Sequence, residues 1–496
     1  MHKLPLPPVV ATLLVLLIAG CAVGPDFKRP APPEVSGYTL GSLPATTGTP
    51  NVVGGQSQRF ADGADISADW WTLFHSEPLN ALIDQSLENN HDLKAAQAAL
   101  AVARENVLAQ RGAYYPSAEA DFSAARQRQS GQIAPVLNSN TFLYNLFTPQ
   151  VSISYAPDVF GLNRRTVESL DAQAQEARFQ MIAAYTTLTS NVVVTAIQAA
   201  AVQMQIDATH ELIDSTNNTV KILRYQFAKG YASGLDVAAQ EALLAQVTAT
   251  LPPLLKQEAQ LRDLLAVLAG RFPNQAPVNQ FLSLSSLQLP EDLPLSLPSA
   301  LVSQRPDVLQ AEANLHDASA KIGIAIANRL PNILLSANAG SSAAAMSQLF
   351  TTGTGFWGVG AAATAPIFQG GTLVHRERAA KAAYEQAAEQ YRSTVLTAFQ
   401  NVADTLTALE QDAEAVKAAA DAAEAAKVTL ALAQRQWQGG YAGYLALLSA
   451  QQADQQARIS LIQAQANRFA DTAALFQALG GGWWHREDLT KDNHEK

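Results

Sequence analysis

Only one cysteine, Cys21, stands in 496 residues, so no disulfide staples this chain internally and no thiolate cluster holds a metal. Charge is sparse: 15% of residues are charged, and 43 acidic residues outnumber 33 basic ones for a formal net charge of −10. That balance excludes a phosphate-binding surface and, with it, nucleic acid as a partner. Histidines are few and scattered; His91, His210, His316 and His375 have no neighbouring ligands at metal-binding spacing. No Ser-His-Asp arrangement and no phosphate loop is present, and Gly480-Gly481-Gly482-Trp483-Trp484 reads as a helix stop followed by an interfacial aromatic patch. The pattern predicts neither an enzyme nor a resident cofactor. The apolar run at residues 9–19 is too short for a membrane-crossing helix, which needs about 20 residues.

That short run has another use. It follows Lys3 and ends in Leu17-Ile18-Ala19-Gly20-Cys21, the layout of an export signal that resembles a bacterial lipobox. The resemblance implies removal of residues 1–20 and a covalent lipid on Cys21. The remaining chain carries 32 basic and 43 acidic residues, a net charge of −11. Several acyl chains anchor stably where one is marginal, and Ala22 in place of Asp implies sorting to the outer membrane. Residues 21–69 are rich in Pro, Gly, Thr and Ser without periodicity and read as an extended strap, and Asp69-Trp70-Trp71 opens the folded body.

Most of the remaining sequence is helical patterning, written twice. Residues 224–242 and 434–453 each carry a helix pattern broken by Gly-Tyr-Ala and resumed on an apolar and amide face, the signature of a helical hairpin. Gly230, Tyr231, Ala232 and Leu235 recur as Gly440, Tyr441, Ala442 and Leu445 at an offset of 210. Asp92 and Pro116 match Asp307 and Pro331 at an offset of 215, and Ala156-Pro157 and Gly161 return as Ala365-Pro366 and Gly370 at 209. These correspondences divide the body into two repeats, 70–271 and 299–484, joined by a polar connector at 272–298 and followed by a polar tail at 485–496. Each repeat is expected to hold one very long helix, at 163–228 and 372–438, near 100 Å long at about 1.5 Å per residue. Shorter helices are expected at 78–112 and 235–270, the second kinked or interrupted at Pro252-Pro253. Heptad seams run through Leu188, Val192, Thr195, Ala199, Val202 and Ile206, and through Val395, Phe399, Val402, Leu406, Leu409, Ala413 and Val416.

Helices alone also fit a coiled-coil stalk in a soluble protein. The strands argue otherwise. Four alternating segments, Ser117–Arg128, 141–156, 332–344 and 355–367, lie beside aromatics such as Tyr114, Tyr115, Phe122, Phe142, Phe147, Phe356 and Trp357. Four strands cannot close a barrel, and an open sheet edge is not tolerated in a bilayer because its backbone groups have no water partner. Closure therefore requires other copies. Two copies would make eight strands with a side-chain-filled interior, so a conducting barrel needs at least three.

With these features in place, the chain resembles the TolC-like outer-membrane factor family, in its lipoprotein (NodT-type) branch associated with resistance-nodulation-division efflux systems. The resemblance runs from the lipobox to about Trp484 and rests on Cys21-Ala-Val-Gly-Pro-Asp-Phe, Arg305-Pro306-Asp307-Val308, Ala365-Pro366-Ile367-Phe368 with Gly370-Gly371, and Gly440-Tyr-Ala-Gly-Tyr-Leu. It implies an α+β fold: a homotrimer with a 12-stranded transmembrane β-barrel, four strands per protomer, continued by a periplasmic α-helical barrel. It also implies passive conduction of drugs or toxic small molecules, a periplasmic adaptor protein and an inner-membrane resistance-nodulation-division transporter as partners. Residues assigned to adaptor docking by the resemblance are Arg224, Tyr225, Gly230, Tyr231, Arg435, Gly440 and Tyr441. A periplasmic gate falls to Leu445, Leu448 and Ser449. Many members of the family have aspartate where Ser449 stands, and Ala446 is likewise not acidic, so closure here is expected to rest on leucine packing. An exit channel for protein secretion and a non-conducting periplasmic lipoprotein are the alternatives.

Overall fold

The computed structural model describes residues 22–39, 41, 44–128, 143–275 and 282–490. Cys21, the signal segment, the 129–140 connection and Phe142 lie outside the described residues. In chain order, strand β1 (Arg59–Asp62) and a 3₁₀ turn (Trp70–Phe74) precede helices α1 (Glu77–Asn89) and α2 (His91–Arg111). Strands β2 (Ser117–Arg128) and β3 (Leu143–Tyr155) follow, then helices α3 (Leu162–Ala228) and α4 (Gly234–Leu268). Strand β4 (Asp292–Leu295) and helix α5 (Pro298–Gln304) introduce a second series: α6 (Pro306–Ala327), β5 (Asn332–Ser341), β6 (Gly355–Thr364), α7 (Thr372–Gln438) and α8 (Tyr444–Ala478). Helices α3 and α7 each have 67 residues, and α4 and α8 each have 35. All four bounds repeat at an offset of 210.

The chain forms two compact units, each drawn from both repeats. The first gathers the described residues of Met1–Pro30, Leu100–Ala177 and Ala311–Tyr391. At its centre is a four-stranded antiparallel sheet of order β2-β3-β5-β6, so β2 and β6 are its edges. β6 stops before the expected 367 because Ala365-Pro366 follows, and proline cannot donate to the ladder. β5 ends at Ser341, whose hydroxyl donates to Thr354 Oγ1 (2.8 Å) and accepts from the Phe350 N–H (3.0 Å), turning the chain. The segment after Cys21 is clamped in this unit. Arg165 donates to the Val23 carbonyl (3.0 Å) and the Asp26 carboxylate (2.8 Å), while Phe27 stacks on His316 at 4.3 Å. Gly24 has φ +96° and lies so close to Gly323 that a Cβ there would sit 2.5 Å from its Cα.

The second unit gathers Ala31–Ala99, Arg178–Gln310 and Arg392–Lys496, again through their described residues. Neither α3 nor α7 contains Gly or Pro, so nothing in them interrupts the hydrogen-bond ladder. Their seams are buried here: Leu188, Val192, Ala199, Val202 and Ile206 on α3, and Val402, Leu406, Leu409, Ala413 and Val416 on α7. The strap is not wholly irregular. β1 pairs in parallel with β4, and Arg59 forks onto Asp292 beside them; a four-residue strand in a Pro-rich stretch has too little periodicity to be read from sequence.

Two helix expectations change. The helix expected over 78–112 is two, because the Asn90 carboxamide accepts from the Leu93 N–H (3.0 Å) and donates to the Leu268 carbonyl (3.1 Å), capping α2 and tying it to the end of α4. Conversely, α4 runs through Pro252 and Pro253 without interruption. Thr248 and Ala249, whose carbonyls lose their intrahelical partners to these prolines, are exposed, so water replaces the missing N–H groups.

Candidate functional site

Helices α3 and α7 end in the same way, and the ends meet. After α3, the Tyr231 N–H donates to the Gln226 carbonyl (2.9 Å) and the Gly230 N–H to the Phe227 carbonyl (2.9 Å). After α7, Tyr441 reaches Gln436 (2.8 Å) and Gly440 reaches Trp437 (3.1 Å). This is a Schellman closure, which demands a left-handed residue at its centre; Gly230 and Gly440 supply it with φ of +83° and +77°. The closure throws the next side chain outward, leaving Tyr231 84% and Tyr441 90% exposed.

Starting the return helices is where the hairpins differ. At α4 the Ser233 hydroxyl accepts from the Asp236 N–H (3.1 Å) and the Asp236 carboxylate accepts from the Ser233 N–H (3.1 Å), a reciprocal capping box. At α8 the same positions are Gly443 and Ala446, and no side chain caps the helix. The Ser-x-x-Asp spacing was visible in the sequence, where Asp236 was noted only as an acid away from the pore; the structure shows its local role.

An apolar cluster binds the two hairpins together. Leu223 of α3, Ala433 of α7 and Tyr444, Leu447 and Ala450 of α8 are buried in it, with Ala232, Val237, Leu430, Trp437 and Leu448 packed around them. Trp437 meets Tyr444 edge-on, with centroids 6.3 Å apart. Burial, aided by the Asp236 charge, pushes the Tyr444 phenol well above its ordinary range. Sequence reading passed over Tyr444 and Trp437, whose 3.5-residue spacing relative to the seam is broken by the turn.

The residues assigned by resemblance divide accordingly. Leu448 packs partly into the cluster, whereas Leu445, 65% exposed, and Ser449 lie on the outward side of α8 one turn apart. Arg224 pairs with Glu241 across the first hairpin (2.7 Å), Tyr225 carries the Lys229 ammonium over its ring at 5.8 Å, and Arg435 donates to the Ala431 carbonyl (3.2 Å). Tyr441 folds back over Gly439, where a Cβ would stand 2.9 Å from the ring. Among the described residues, no group of three or more His, Cys, Asp and Glu lies where it could hold a metal.

The sheet presents a second functional surface. Its register sorts side chains by polarity across all four strands. On one face stand Glu119, Asp121 and Ser123 of β2, Ser152, Gln150 and Thr148 of β3, Ser336 and Asn338 of β5, and Gly358 and Gly360 of β6. On the other stand Ala120, Phe122 and Ala124, then Val151, Ile153 and Phe147, then Ala337 and Ala339, then Trp357 and Val359. The apolar face is not covered by this chain: Phe122, Val151, Ile153 and Val359 are exposed and Trp357 is 79% exposed. A sheet with one watery and one oily face, both open, suits the wall of a membrane pore. No described helix is long and apolar enough to cross a membrane.

Long paired helices, two matched hairpins and a sheet of this kind define an outer-membrane channel fold, and the comparisons agree. The chain belongs to the outer membrane efflux protein family, whose model matches it twice, over residues 82–271 and 297–481. Among similar proteins, the antibiotic efflux pump outer membrane protein ArpC of Pseudomonas putida is 30% identical over 475 residues, covering 95% of this chain and 94% of its own. The toluene efflux pump outer membrane protein TtgF of Pseudomonas putida is 29% identical over 479 residues, covering 95% and 96%. In fold, the chain superposes on the Campylobacter jejuni CmeC outer membrane channel with a TM-score of 0.84 over 95% of this chain and 97% of that one, at 21% identity. This chain is thus an outer-membrane channel component of a tripartite efflux system, extending into the periplasm and acting by conduction rather than catalysis.

Proposed function

We propose that three copies of this chain close edge to edge, β6 of one on β2 of the next, into a 12-stranded barrel, with the long helices forming a periplasmic tunnel beneath it. The observation that carries the reading is the sheet itself: two unpaired edges, one polar face and one exposed apolar face. In a bilayer the unpaired edge groups have no partner except another strand. Lipid on Cys21 places the protein in the lipoprotein branch, and the clamp of Ala22 to Asp26 on Arg165 holds the segment next to it.

The hairpin ends serve as the docking surface for a periplasmic adaptor, through which an inner-membrane resistance-nodulation-division transporter delivers cargo. The outward Tyr231 and Tyr441, with Arg224, Tyr225 and Arg435 beside them, give that surface aromatic and basic character. Small apolar toxicants and drugs are the cargo class, a reading supported by the toluene and antibiotic roles in the names of the relatives. Leu445, Leu448 and Ser449 form the gate. With no acid among them, closure rests on leucine contacts rather than a carboxylate ring.

Single-channel recording of reconstituted protein tests this. Wild type should conduct in small, infrequent steps, and Leu445→Ala combined with Leu448→Ala should make them larger and more frequent. Ser449→Asp should shift the reversal potential toward cations in a salt gradient, because three carboxylates at a narrow ring concentrate cations. An unchanged reversal potential removes Ser449 from the constriction, and no conductance from any of the three proteins overturns the conduit reading.

A further inference from the structure

Within the second unit, helices α3, α7 and α8 enclose a cavity of about 180 Å³ that the conduit reading does not use. Ala208, Glu211 and Leu212 of α3, Leu430 of α7, and Asp454, Arg458 and Ile459 of α8 line it. Asp454 is 4% exposed, and its two oxygens fare differently. Oδ2 accepts from Arg458 Nε at 2.9 Å, whereas Oδ1 has no hydrogen-bond partner. Arg458 also reaches Glu211 Oε2 at 3.4 Å, so one guanidinium stands against two carboxylates and the group carries one unbalanced negative charge.

A buried carboxylate oxygen without a donor is costly, so this site calls for a donor from outside the chain. Water is a poor fit for the whole space. The volume corresponds to several molecules at about 30 Å³ each, and those against Leu212, Leu430 and Ile459 would lack polar partners. A metal ion is disfavoured as well, since the cavity brings only two carboxylates and no imidazole or thiolate.

We propose that this cavity binds a small amphipathic monocation, its ammonium group donating to Asp454 Oδ1 and its hydrocarbon body packing on Leu212, Leu430 and Ile459. Such a ligand touches both hairpins at once, through α3 on one side and α7 and α8 on the other. Binding is independent of the conduit reading, and failure of one leaves the other standing.

Titration calorimetry of the full-length protein in non-ionic detergent, with benzylammonium as the probe, tests the site. One saturable site per chain is expected. Methylammonium, which has the charge alone, and benzyl alcohol, which has the body alone, should each bind about tenfold or more weakly, the ratio set by a charge-assisted hydrogen bond. Asp454→Asn should lose benzylammonium to the level of benzyl alcohol. Because that change also disturbs the Arg458 pair, Ala208→Phe provides the second arm: it fills the cavity and leaves the pair intact, and should abolish binding. Equal affinity for benzyl alcohol and benzylammonium, no saturable heat, or undiminished binding by Ala208→Phe would overturn the proposal.

Discussion

Arg468 of α8 is wholly buried, and the strap is what receives it: its guanidinium donates to the Gln56 carbonyl at 2.5 Å and to Thr46 Oγ1 at 3.1 Å. Burial lowers its pKa to about 10, against the opposing pull of Asp412. Asp412 in turn is raised to about 7, first by burial and then by a hydrogen bond and charge shared with Asp471. A carboxyl raised in the folded state is protonated there while the unfolded chain has already ionised. Between its ordinary value of 3.8 and about 7, the native state therefore holds the extra proton, and stability falls as pH rises through that window. Asp412→Asn should flatten this slope in thermal melts, with a higher midpoint than wild type at pH 8 and little difference below pH 4 (both about one unit outside the window). A lower midpoint at pH 8 would show that the ionised carboxylate is needed by Arg468. Nothing in the sequence marked this group. Charged residues on a long helix read as a solvated face, and only the packing of a Pro-rich strap against α8 buries them.

At the level of elements, turns were more legible than breaks. Gly230 and Gly440 were read as helix stops because a left-handed residue is needed there and glycine meets the need at no steric cost. Asn90 was read through, since an Asn inside an Ala-rich helix pattern looks tolerable until its side chain is seen capping α2 and reaching Leu268. Pro252 and Pro253 were over-read for the opposite reason: exposure of the preceding turn lets solvent complete the backbone. The capping contrast between the hairpins makes its own prediction. Gly443→Ser with Ala446→Asp, which copies Ser233 and Asp236 into α8, should stabilise the second hairpin by about 1 kcal/mol. Slower hydrogen exchange over the first turn of α8 is the readout. Unchanged exchange there would mean that Tyr444 and Trp437 packing, rather than the missing cap, sets the stability of the turn.

For the whole molecule, family and conduction were legible because both are written as repetition, in the 210-residue offset and the matched strand segments. The sorting of the sheet into polar and apolar faces was not, because it depends on register across four strands and the small residues of β6 alternate too weakly to reveal it. The account's central claim is that β2 and β6 are not edges in the working protein. Hydrogen exchange of the full-length protein in lipid nanodiscs, resolved to individual strands, tests this directly and does not depend on whether the gate is open. If copies close edge to edge, β2 and β6 amides will be protected as long as those of β3 and β5. Fast exchange along β2 and β6 beside a protected β3–β5 pair would contradict the closed barrel and, with it, the proposed conduit.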